Sequence, residues 1–233
     1  SIAQRQAAIT RVTTPLPGST PYDNDRPLNI PEDCDGFTLL DALCTILPHV
    51  SREYWLSEFE KNRLLRDDDS PFSPTEVIRS GTRVKHRFPD TTEPDVNADI
   101  RILYEDEALL ILDKPAPLPI HPAGRFHRNT LQWILHAACW PEKPRIAHRL
   151  DADTTGVVVC ARTAHFAGRL QPQFAKGEVE KTYALLVHGH PAQDHFTCDA
   201  PIGETTDRVK LRLIDDDGGR HALTEFTVIA RKP

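Results

Sequence analysis

Methionine is absent from all 233 residues, and the five cysteines, Cys34, Cys44, Cys139, Cys160 and Cys198, form no C-x-x-C pair. An odd and scattered set argues against both a disulfide framework and a zinc ribbon. It fits a reducing compartment, so the cytoplasm is the expected location. No apolar run reaches membrane-spanning length, and the opening SIAQRQAAITRV lacks the apolar centre of a secretion signal; no membrane partner is expected. Positive charge is also short. Against 34 Asp and Glu stand 28 Lys and Arg, a net charge of −6, which does not describe a general nucleic-acid binder. The deficit lies in residues 1–99, with 11 basic and 17 acidic side chains, whereas residues 100–183 carry 11 and 9. Lys143, Arg145, Arg149, Arg162 and Arg169 gather in this second stretch, where a local field can attract phosphate despite an acidic whole, although a solvated surface is the plainer explanation of such a scatter and charge alone does not point to RNA.

What is present is a 39% hydrophobic content, enough for one good core and a smaller module. The most informative stretch is IAHRLDADTTGVVVCAR, residues 146–162. The run Val157 to Cys160 is short, β-branched and uninterrupted, the pattern of a strand covered on both faces. Before it, Gly156 permits a tight turn, and Asp151 and Asp153 follow directly on His148 and Arg149. A carboxylate held at such a strand end is a candidate nucleophile. Asp-x-Asp-Thr-Thr-Gly is equally ordinary turn material, its short polar side chains bonding nearby amides.

HRLDADTTG resembles the HRLDxxTSG signature of the RluA-type pseudouridine synthases, with Thr155 where Ser is usual. Further segments resemble the same family in order: ILYEDEALLILDKPAPLPIHP (102–122), HFAGRLQPQFAKGEVEKTYALLVHG (165–189) and APIGETTDRVKLRLIDDDGGRHALTEFTVIA (200–230). Four ordered segments are more specific than one short motif. The resemblance implies isomerisation of uridine to pseudouridine in structured rRNA or tRNA, with no cofactor and no metal, by a catalytic domain over 100–233. It makes Asp151 the catalytic carboxylate and Tyr183, in the Lys-x-Tyr element with Lys181, the residue lining the uracil pocket. Arg149 is implied to contact RNA and help displace the target nucleotide. His148, Lys181, His121 and Arg125 complete the expected RNA-facing set, with Lys114 a further donor near the last two. A half-buried strand tyrosine and a surface ion pair are the plain alternatives for Tyr183 and Arg149, and His148 is expected to anchor its loop rather than to transfer a proton. The family pattern continues into a Gly-Arg-Thr-(His or Asn)-Gln-(Ile)-Arg segment, whereas this sequence ends at Arg231-Lys232-Pro233. The catalytic domain is therefore expected to lack its C-terminal part, as a fragment or a catalytically dead chain.

The remaining pattern predicts an α+β fold dominated by sheet, and the resemblance implies a catalytic domain of pseudouridine synthase type with a mixed, mainly antiparallel sheet. Strands are expected at Ala108 to Leu112 and at Tyr183, Leu185 and Val187, and helices beginning at Asn129 or Thr130 and at Thr163, the latter bending or restarting at Pro172. Val209, Leu211 and Leu213, the turn Asp217-Gly218-Gly219, and Phe226, Val228 and Ile229 read as a hairpin. Residues 1–33 are expected to be an extended segment. Residues 34–99 are expected to form a small module of two helices, around Leu39 to Leu47 and after Ser51, followed by a turn and strand from Gly81. This order resembles a degenerate S4-like RNA-binding module, and a structural cap fits it as well. The polar TTEPDVNAD, 91–99, marks the boundary. A monomer is expected. Two other classes remain open: a haloacid-dehalogenase-like phosphatase holding Mg²⁺ on Asp151 and Asp153, and a non-catalytic RNA-binding protein.

Overall fold

The computed structural model describes residues 1–204 and 212–231. Chain contacts divide it into two units, Ser1–Val179 and Glu180–Pro233.

In the first unit, α1 (Ile2–Val12) is followed by β1 (Tyr22–Asn29), α2 (Leu39–Ile46), α3 (Arg52–Glu60), β2 (Leu64–Leu65) and β3 (Arg83–Thr91). The antiparallel sheet β1-β3-β2 and the two helices enclose one apolar cluster built on Ile30, Leu39, Leu43, Trp55, Phe59 and Val84. Both helices start where a hydroxyl can accept an orphan amide: Thr38 from Asp41 and Ser51 from Tyr54.

β4 (Arg101–Glu105), β5 (Leu109–Lys114), α4 (Leu131–Ala138), β6 (Arg145–Ile146), β7 (Gly156–Ala161) and α5 (Ala164–Ala175) complete this unit. Their sheet is antiparallel in the order β4-β5-β7-β6. Along β5 burial alternates, sending Leu110, Leu112 and Lys114 to the inner face. There the two leucines meet Val158, Leu118, Leu131, Ile134 and Leu135 in a second cluster. Each such side chain contributes roughly 1.5–3 kcal/mol on full burial.

Several expectations are corrected. Residues 1–33 are not extended throughout: α1 makes the first part helical and inserts Ile9 into the second cluster, while β1 is extended and paired in a sheet. Gln6 ties this helix to the start of β4, donating to the Ile100 carbonyl at 2.7 Å and accepting from the Ile102 amide at 3.0 Å. Pro172 does not divide α5, which continues through it. Its missing donor falls opposite Gly168, and both residues lie on the exposed side, where water can bond the freed carbonyl. Of the two candidate caps, Thr130 accepts the Trp133 amide at 3.3 Å, while Asn129 accepts the Gly18 amide.

The second unit has β8 (His195–Cys198), β9 (Ile202–Glu204), β10 (Arg212–Ile214) and β11 (Thr224–Thr227), paired antiparallel as β9 with β10 and β8 with β11. The expected hairpin is therefore replaced by two ladders with other partners. A turn does precede Gly219, whose amide bonds the Asp215 carbonyl at 3.0 Å. Val209 and Leu211 lie outside the described residues. The alternation at Tyr183, Leu185 and Val187 forms no strand among the described residues, and all three side chains are exposed. An alternating pattern becomes a strand only where a partner edge accepts its hydrogen bonds.

Candidate active site

The turn bearing Asp151 is shaped by the way β6 leaves the sheet. After Ile146 pairs with Cys160, the Ala147 amide donates to the Val159 carbonyl at 2.9 Å. The next bond is taken by a side chain: the Val159 amide donates to Nε2 of His148 at 3.1 Å. This fixes Nε2 as the unprotonated nitrogen of the ring in that arrangement. The ring also stacks on Phe174 of α5, with centroids 4.5 Å apart. Two residues later Leu150 is buried in the second cluster, which leaves its neighbours Arg149 and Asp151 exposed.

Asp151 then opens a tight turn, its carbonyl accepting the Thr154 amide at 3.1 Å. The turn closes at Gly156, whose φ of +123° belongs to a region that side-chain-bearing residues rarely enter. Gly156 lies opposite Lys114 in the β5–β7 register.

Lys114 is fully buried. Its Nζ donates to the carbonyls of Pro115 and Leu118, both at 2.9 Å, and of Ala152 at 3.1 Å. The Leu118 amide also donates to the Ala152 carbonyl at 2.9 Å. One peptide of the Asp151 turn is thus held by a backbone amide and an ammonium together. Burial lowers the Lys114 pKa, and attraction to Asp153 and Asp151 opposes that shift. The sheet consequently places a buried cation beneath two exposed carboxylates. The RNA-facing role expected for Lys114 is corrected: its position on the inner face of β5 directs it into the protein. The Leu110, Leu112, Lys114 alternation was the signal that could have shown this.

Segment 118–131 runs from this turn to α4. Ala123 and Phe126 exchange backbone bonds at 3.0 Å in both directions, with Gly124 at φ +56° between them. Arg125 is exposed in this pinched turn, and exposed His121 brings Nδ1 to 3.2 Å from Gln132 Oε1. His148, Arg149 and Asp151 therefore share one loop, and the segment bearing His121 and Arg125 is bonded to it through Leu118. Tyr183 and Lys181 belong to the second unit, where both are exposed.

A group with no forewarning in the sequence is Glu93, buried in the stretch read as a boundary. Its carboxylate accepts the amides of His127, Arg128 and Asn129 at 2.9, 2.8 and 2.8 Å and the Tyr22 hydroxyl. Burial alone would raise its pKa, but these hydrogen bonds outweigh it and hold the carboxyl below the usual range.

The profile described as RNA pseudouridylate synthase matches residues 108–233, more than half of the chain. The chain belongs to this family, in its RluA branch. It is 34% identical over 219 residues to a ribosomal large subunit pseudouridine synthase D of Zymomonas mobilis, covering 87% of this chain and 68% of that one. To an uncharacterized RNA pseudouridine synthase of Synechocystis it is 31% identical, over 84% of this chain and 64% of the relative. A mitochondrial tRNA pseudouridine(32) synthase of Saccharomyces cerevisiae is 27% identical, over 82% and 42%. The chain thus spans 64% or less of the length of two of these three curated relatives. Membership disfavours the phosphatase alternative, as does the local architecture: the two aspartates precede β7 in an antiparallel sheet rather than ending a parallel strand. No helix among the described residues is long and apolar enough to cross a membrane.

Proposed function

We propose that this chain carries the isomerisation of uridine to pseudouridine in structured ribosomal or transfer RNA, with Asp151 as the catalytic carboxylate. The observation that carries the reading is an exposed Asp151 on a turn clamped by Lys114, Leu118 and His148, in a chain of this family. The reaction breaks the bond from C1′ to N1 of the uracil, turns the base and joins C5 to C1′. The proton lost from C5 is balanced by one gained at N1. Asp151 acts by attacking C1′, or by taking a proton from the sugar to give a glycal. A stacked uridine hides both atoms, so the nucleotide must first leave its stack.

In this reading Arg149, exposed beside Asp151, braces the vacated position, and Tyr183 stacks on the extruded base. Lys181, His121 and Arg125 meet the RNA around it, whereas His148 serves the turn from within. Residues 34–99 act as an S4-like module beside a catalytic domain over 100–233. The protein works as a monomer in the cytoplasm, without cofactor or metal. The test is to map pseudouridines in RNA from cells that carry the gene, lack it, or carry Asp151→Ala. Loss of the same site in the last two supports the proposal; unchanged modification with Asp151→Ala overturns it.

A further inference from the structure

A second place of interest in the first unit is a cleft beside β1. Between β1 and the 123–126 turn lies a cleft of about 210 Å³ lined by Arg26, Pro122, Ala123, Gly124, Phe126 and His127. This is below the roughly 300 Å³ at which drug-sized pockets begin, a size suited to one ring system with its attached phosphate. One wall is cationic: the Arg26 guanidinium lies 4.7 Å above the Phe88 ring, a diagonal neighbour across the β1–β3 ladder, where Asn24 pairs with Phe88 and Arg26 with His86. The opposite wall is the turn carrying Phe126.

The floor is rigid. His127 stacks on Tyr22 at 6.5 Å, and Arg128 caps the other ring at 3.6 Å from the Tyr22 centroid. The backbone beneath is held by the three amides bonded to buried Glu93. Of the nearby acids, Asp25 is paired with the Arg87 guanidinium at 2.7 and 2.8 Å, and Asp23 faces the same guanidinium at 4.0 Å, while Glu93, held by neutral donors, keeps its charge buried behind the His127–Asn129 backbone. Among the described residues, neither Arg26 nor Arg128 lies within ion-pair distance of a carboxylate. In a chain of net charge −6, Arg26 at the cleft and Arg128 behind it together outweigh the single buried charge of Glu93, and the exposed Arg26 is the cation open to a phosphate.

Its location ties it to the catalytic turn. Pro122 follows Leu118 by four residues, a span of at most about 14 Å, and Leu118 is bonded to Ala152.

We propose that this cleft binds one nucleotide of the substrate RNA outside the reacting uridine, its phosphate on Arg26 and its base against Phe126 and His127. The proposal rests on RNA being the substrate. A flanking nucleotide seated here fixes the position of the RNA relative to Asp151, so the cleft is a positioning site rather than one that reads sequence. Stacking is indifferent to base identity, while the arginine supplies the sequence-independent attraction.

The test uses the full chain and a fluorescein-labelled RNA hairpin with a uridine-containing loop, followed by anisotropy between about 50 and 200 mM salt. Arg26→Gln and Phe126→Ala are each expected to weaken binding about 5- to 10-fold, and Arg26→Gln to reduce the log–log salt slope by about one. Because Arg26 is exposed, Arg26→Gln carries the test should Phe126→Ala fail to fold. Parental affinity and slope in Arg26→Gln, with the hairpin still bound, overturn the cleft and leave the RNA reading standing. Failure of the parent chain to bind the hairpin overturns the RNA reading and the cleft with it. Equal competition by a polyglutamate peptide of matched charge assigns the cleft to acidic peptides and overturns the nucleotide proposal.

Discussion

His148 Nε2 accepts the Val159 amide at 3.1 Å, so a side chain takes the hydrogen bond that a continuing β6–β7 ladder would give to backbone. The substitution lets the chain leave the sheet edge while the strand beside it stays satisfied. His148→Ala is expected to leave that amide without its partner and to cost roughly 1–2 kcal/mol. A lower urea midpoint, with pseudouridine formation reduced at temperatures where the protein is folded, checks this.

Lys114→Met removes the ammonium that three carbonyls share. The expected loss is about 2–4 kcal/mol, read by thermal or urea unfolding. Among molecules that remain folded, kcat should fall more than KM rises, because the change loosens the turn rather than the RNA contacts. Lys114→Arg should not restore it, since a planar fork cannot converge its donors on three carbonyls around one point.

Gly156→Ala separates backbone strain from crowding. Nothing lies within 4 Å of where its Cβ would stand, yet φ is +123°. The expected cost is about 1–3 kcal/mol from the backbone alone, seen as a lower melting temperature. Activity should fall as well, because relief of the strain moves the turn that presents Asp151.

Glu93 gives a pH dependence whose sign follows from its depressed pKa. The carboxyl titrates below its ordinary 4.5 in the folded chain, so the unfolded chain binds the proton first as pH falls. The stability it contributes is present above about 4.5 and is lost as pH drops toward the folded value. Urea midpoints measured from pH 7 to pH 3 should therefore fall more steeply for the parent than for Glu93→Gln. Parallel curves would show that the carboxylate does not set the acid response.

Much of the fold was legible because local signals agreed with tertiary ones. The apolar runs at Ala108 to Leu112 and Val157 to Cys160 fall on the neighbouring central strands β5 and β7, and Ser51, Thr130 and Thr163 became caps. α1 escaped notice because proline and threonine after residue 12 made the whole stretch read as extended, while only Ile9 is buried in that helix. The opposite error occurred at Tyr183, Leu185 and Val187, where a sound alternation lacks the partner strand that pattern alone cannot supply. The Asp151 loop stood out through its motif. Its support did not, because Lys114 and Leu118 reach the turn from more than thirty residues upstream in sequence, and such pairings follow from register rather than from local composition. Glu93 was hidden for a related reason: its ligands are main-chain amides, which every residue type carries.

The saturation of Lys114 by three carbonyls has one more consequence. An ammonium with every donor engaged is held in place and cannot swing outward, so the positive charge beneath Asp151 and Asp153 is part of the fold itself. On the proposed reaction, a turn ordered in this way by the fold leaves the free energy of RNA docking available for unstacking a base.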